Sequence, residues 1–165
     1  LKGLKLVLIV IISAVFLSGC ASDRGNENNR EKNVLTTINI PHVNEYSFLY
    51  VQGAKGNASF SESTSTTIND NKKIKEFINK IDGMKVTKPS DKELAEQIKA
   101  LNRQDRYTFI LSNSETMDDM VYPISIYKDG IVQFQDPEIE QITLISKEKY
   151  PELFGEIKDI LEITF

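Results

Sequence analysis

Residues 121–134 read VYPISIYKDGIVQF, two runs of strand-forming residues, Val121 to Tyr127 and Ile131 to Phe134, joined by Lys128-Asp129-Gly130. Asp-Gly between such runs is a strong hairpin signal, because a type I′ turn needs positive φ at both central residues and Asp and Gly tolerate it. Asp129-Gly130 therefore predicts a hairpin with a type I′ turn, and with it antiparallel pairing.

Upstream, Arg106 to Ser112 places Tyr107, Phe109 and Leu111 on one face of a strand. Downstream, Gln141 to Ile145 is a further strand. A last helix follows, with Pro151 near its first turn and Leu153, Ile157, Ile160 and Leu161 forming its buried stripe.

Further out, Tyr46, Phe48 and Tyr50 alternate with Ser47, Leu49 and Val51, the period of two that puts one face on a core. Gly53 to Asn57 turns the chain, and Ala58 to Ile68 reads as an exposed, Ser/Thr-rich second strand. Asp70 then caps a helix whose Ile74, Phe77, Ile78 and Ile81 share one stripe, and Gly83 ends it. Met84 to Thr87 fits a short strand. Ser90 and Glu93 form a capping box opening a helix in which Leu94, Ile98 and Leu101 face the core.

The order β-β-α-β-α-β-β-β-β-α lacks regular βαβ alternation. It predicts an α+β fold, a single domain with a largely antiparallel sheet and about three helices packed on it. No internal repeat and no second linker divides residues 37–165.

The amino-terminal end is of another kind. An apolar block runs from Leu6 to Leu17, broken only by Ser13, with Lys2 and Lys5 before it and Asp23, Arg24, Glu27 and Arg30 after. A bilayer-spanning helix needs roughly 20 apolar residues. This block is shorter, and a positive start followed by a short apolar stretch is the pattern of a secretory signal.

Leu17-Ser18-Gly19-Cys20 resembles the lipobox of bacterial lipoproteins at all four positions. The resemblance implies that residues 1–19 are a signal peptide cut between Gly19 and Cys20, that the Cys20 thiol carries a diacylglyceryl group, and that the domain is held on the extracytoplasmic face of a cell membrane. Two acyl chains suffice for stable anchoring, since each buried methylene contributes ~0.8 kcal/mol and one chain holds only marginally. Ala21 to Asn33 contain almost nothing apolar, and residues 20–36 read as the lipid-anchored Cys and a flexible tether. The richness in Ile, Lys and Asn suits a low-GC Gram-positive source. The chain is also similar to small, uncharacterised Gram-positive lipoproteins of the YhfM-like type in its size, its late Asp129-Gly130 hairpin and its closing Tyr150-Pro151-Glu152-Leu153 helix, a resemblance that implies no activity and no site residue.

Charge and composition narrow the function. The formal net charge of −4 includes both signal lysines, so the chain from Cys20 carries 18 basic against 24 acidic residues, or −6. An acidic domain without a basic stripe repels phosphate backbones, so nucleic acid is not expected as a partner. Cys20 is the only cysteine, which leaves no disulfide available, and His42 is the only histidine. Ser-His-Asp, Cys-His and ordinary zinc chemistries therefore have no matching residue set. Asn69-Asp70-Asn71 begins like a calcium-binding loop, but the turn glycine is missing and the twelfth position is Lys80. No Walker-type or dinucleotide-binding glycine pattern is present.

Two acidic groups are left as candidate binding residues, Asp118 with Asp119, and Asp136 with Glu138 and Glu140. No catalytic residue, metal site or cofactor is expected. The expectation is a non-enzymatic interaction module that meets an envelope protein or a wall polymer. A binder of a small ligand or Ca²⁺ through the acidic loops is the first alternative, and an envelope hydrolase using paired carboxylates is the second.

Overall fold

The computed structural model of the chain describes residues 36–53, 62–100, 106–136 and 143–165. The signal segment, the lipobox and the expected tether up to residue 35 lie outside these residues, as do Glu138 and Glu140. Among the described residues no helix is long and apolar enough to cross a membrane.

Among the described residues eight strands form one antiparallel sheet. In chain order they are β1 (Thr36–Thr37), β2 (Phe48–Gly53), β3 (Ser65–Ile68), β4 (Lys85–Thr87), β5 (Arg106–Ser112), β6 (Val121–Tyr127), β7 (Val132–Gln135) and β8 (Thr143–Ser146). Their spatial order is β1-β4-β8-β7-β6-β5-β2-β3. Three α-helices among the described residues accompany them: α1 (Asn71–Ile81), α2 (Asp91–Ala100) and α3 (Leu153–Leu161). The expected α+β class and antiparallel sheet are thus what the chain adopts.

The centre is the four-strand meander β5 to β8, because adjacent strands joined by short turns pair most readily. Phe109 faces Ile124 across β5–β6, and Ile124 faces Phe134 across β6–β7. Alternation then sends Tyr107, Phe109 and Leu111, Tyr122, Ile124 and Ile126, and Val132 and Phe134 to one buried face. In β2 it is Leu49 and Val51 that are buried, while Phe48 and Tyr50 stand half-exposed on the opposite face.

Helix α1 covers the buried face with the four residues of its stripe, Ile74, Phe77, Ile78 and Ile81. Phe77 meets Phe109 at 4.9 Å between ring centroids. Each such side chain stabilises the fold by roughly 1.5–3 kcal/mol through burial. Asp70 caps α1 as expected, accepting the Lys72 and Lys73 amides at 2.8 and 3.3 Å. Helix α3 buries Leu153, Ile157 and Leu161 and runs alongside α1. Lys73–Glu162 at 2.9 Å and Lys80–Glu156 at 2.8 Å link the two helices.

Four expectations are corrected. Thr36, assigned to the tether, is the first residue of β1 and pairs with Val86. A two-residue strand is too short to show a period. The β6–β7 turn is not type I′, since neither Lys128 nor Asp129 has positive φ. Gly130 alone has (+87°), its amide donates to Tyr127 O at 2.9 Å, and the Tyr127 amide donates to Ile131 O at 2.9 Å. This is the three-residue loop in which a type I turn is followed by a left-handed glycine. Leu94 of α2 is 37% exposed and does not face the core; Ile98 and Leu101 lie outside what is described. The α2 capping box itself is formed, with the Ser90 amide donating to Glu93 Oε2 at 2.8 Å and the Glu93 amide donating to Ser90 Oγ at 3.3 Å. Finally, the strand expected from Ala58 begins, among the described residues, at Ser65, after a 3₁₀ turn over Glu62–Thr64.

Candidate functional site

Two turns converge at one end of the sheet. The first is Gly83-Met84-Lys85, where α1 gives way to β4. Its shape follows from Gly83, whose φ of +78° turns the chain sharply and whose amide donates to Ile38 O at 3.0 Å. The second is Lys147 to Glu152, between β8 and α3. It is tied down at both ends, by the Lys147 amide to Lys85 O at 2.9 Å and the Tyr150 amide to Gly130 O at 2.8 Å.

Between them lies an open cleft of about 630 Å³. That is within the range of roughly 300–1,000 Å³ found for small-molecule sites. Met84 and Leu153, both buried, and the half-buried Tyr150 supply its apolar floor. Lys80, Lys85 and Lys149 stand around it with Glu148, Glu152 and Glu156. Three of these six charges are already engaged. Lys80 holds Glu156, and Lys149 reaches out of the cleft to Asp129 at 2.8 Å. Lys85, Glu148 and Glu152 enter none of the ion pairs among the described residues. The cleft thus offers one free ammonium and two free carboxylates above an apolar base. No side chain caps α3, whose first turn forms part of the same wall.

The acidic residues expected from sequence are placed elsewhere. Asp118 and Asp119 lie in the β5–β6 loop and close it. Ser114 Oγ donates to Asp118 Oδ1 at 2.8 Å, and Asn113 Nδ2 donates to Asp119 Oδ2 at 2.7 Å. Hydrogen bonds from the Ser114 and Thr116 side chains hold the Asp118 carboxyl below its ordinary range. Asp136 follows β7, half-buried, where its charge helps raise the pKa of Tyr122. Among the described residues no group of three His, Cys, Asp or Glu side chains is placed to hold a metal ion.

His42 sits in the turn after Ile40 with φ of +54°, its Nδ1 3.0 Å from Glu45 Oε1, and is exposed. Deeper in, burial and the neighbouring Glu45 charge push the Tyr46 phenol up to about 12. Burial first, then the nearby Tyr46, Asp136 and Asp82, raise that of Tyr122 as well. Tyr122 Oη donates to Gln135 O at 2.8 Å.

The cleft was not among the sequence-derived candidates. Its signal was present in Lys147-Glu148-Lys149-Tyr150-Pro151-Glu152, a dense charged run with an aromatic residue between a strand and a helix. Loops set on a rigid scaffold are where binding residues concentrate. Comparison of the chain with family models, with curated proteins and with solved structures finds no match.

Proposed function

We propose that this chain is an extracytoplasmic lipoprotein, anchored to a bacterial cell membrane through a diacylglyceryl group on Cys20, and that its α+β domain is a non-enzymatic interaction module of the cell envelope. The observation that carries the anchor is Leu17-Ser18-Gly19-Cys20 closing an apolar block that follows Lys2 and Lys5. The partner is an envelope protein or a wall polymer.

Fractionation and intact mass of the native protein beside a Cys20→Ala variant test this. The wild type should be membrane-bound and heavier than the chain from Cys20 by a diacylglyceryl group, and the variant should lack that mass. Retention of residues 1–19 by both proteins, without added lipid, would overturn it.

A small-ligand binder is the second reading, and the cleft between β4 and α3 favours it. With Glu156 committed to Lys80 and Asp118 and Asp119 to their own loop, a hydrolase using paired carboxylates would have to work through Glu148 and Glu152 of the same cleft.

A further inference from the structure

We propose that the cleft between the Gly83–Lys85 turn and the Glu148–Leu153 turn binds a short peptide carrying a lysine-type primary amine and a carboxylate. The proposal deepens the reading of the domain as a binding module by naming the ligand class and the site.

The chemistry of the lining selects the class. Glu148 and Glu152, on either side of Tyr150-Pro151, line the cleft and pair with no cation among the described residues, and a ligand ammonium is the group that two free carboxylates in one cleft favour. On β4, the free Lys85 ammonium is the complementary partner for a carboxylate. Met84, Leu153 and the ring of Tyr150 lie beneath, matching the aliphatic stem of a lysine or the methyl of an alanine.

Other ligand classes fit less well. A nucleotide or polyphosphate would bring several negative charges to a lining whose lysines and glutamates are equal in number. An uncharged sugar would leave Lys85, Glu148 and Glu152 without partners. A peptide satisfies both signs at once, and its backbone amides suit walls made largely of exposed turns.

Gly83, which is exposed, lines the same cleft. A Cβ built there would meet no atom within 4 Å, so ligand atoms can approach the main chain itself. Lys80 and Glu156, bridged from α1 to α3, close one side and set the limit of the site.

The test is calorimetric titration of the full chain in detergent with the tripeptide Ala-Lys-Ala, and with the same peptide acetylated on its lysine amine. Saturable one-to-one binding is expected, weakened about tenfold or more by acetylation, a loss of roughly 1.4 kcal/mol. A Glu148→Gln/Glu152→Gln double variant should lose at least as much, with its melting temperature unchanged because both residues are exposed. Lys85→Met should weaken the free-carboxylate peptide more than its amidated form. No saturable binding at millimolar peptide, or equal affinity in the wild type and the double variant, would overturn the proposal. Either result leaves the membrane anchor to be judged separately by the Cys20→Ala fractionation.

Discussion

Gly130 lies directly against the backbone of Tyr150: the Tyr150 amide donates to Gly130 O at 2.8 Å, and a Cβ at Gly130 would fall 2.4 Å from both the amide nitrogen and the carbonyl carbon of Tyr150. This contact fixes the β6–β7 turn to the segment that leads into α3. Gly130→Ala should therefore destabilise the fold by about 2–4 kcal/mol, through a left-handed φ and a clash with main chain that cannot swing aside. Gly83→Ala carries the φ strain but no clash, and should cost only about 1 kcal/mol. Denaturant unfolding of the two variants would check the difference, and equal losses would contradict it.

Gly155 lies within α3, is exposed, and has nothing within 4 Å of a Cβ position. Gly155→Ala should raise stability by about 0.5–1 kcal/mol, since alanine loses less conformational freedom in a helix. An unchanged or lowered unfolding midpoint would show that α3 uses the glycine for something other than its helix.

The buried phenols make alkali the sensitive direction. A Tyr46 pKa raised from 10.0 to about 12 means that the folded state resists ionisation, so its contribution is intact below pH 10 and is lost as pH rises from there through about 12. Tyr122, shifted in the same direction, adds to the loss. Ultraviolet titration should show Tyr46 and Tyr122 ionising late, together with unfolding, and Tyr46→Phe should flatten the alkaline decline. Titration of every tyrosine in the ordinary range, with the fold intact, would refute this.

Ser90→Ala removes the hydroxyl of the α2 capping box, a change worth roughly 1 kcal/mol of helix stability. The described side chains of α2, Asp91 to Glu96, are all exposed. The loss should therefore appear as faster amide exchange in α2 while global stability moves by less than about 0.5 kcal/mol. A full global loss would mean that α2 is coupled to the core more tightly than its exposed face indicates.

What could be read from sequence was whatever a short-range period or a local hydrogen bond encodes. The α1 stripe, the Tyr107-Phe109-Leu111 face and both helix caps belong to this kind, because each is decided within a few residues. Leu94 failed because a lone apolar residue at helical spacing does not reveal what lies opposite it. The Asp-Gly turn was placed correctly but given the wrong geometry, since Lys128 adds a third loop residue and only Gly130 takes positive φ. The cleft escaped notice for a deeper reason. Lys85 and Glu148 are far apart in the chain and are brought to one rim only by the pairing of β4 with β8, which no local pattern announces.

The strand order bears on how the chain is made. The carboxy-terminal strands β5 to β8 form the middle of the sheet, while the amino-terminal ones form two separate edge pairs, β1 with β4 and β2 with β3. Because synthesis runs from the amino terminus, the edges emerge before the middle. Until β5 and β8 arrive, both edge pairs have nowhere to dock and keep their pairing groups open to other chains. A newly made molecule is therefore most prone to stick to its neighbours late in synthesis, when α1 and the edge strands are complete and the meander is not.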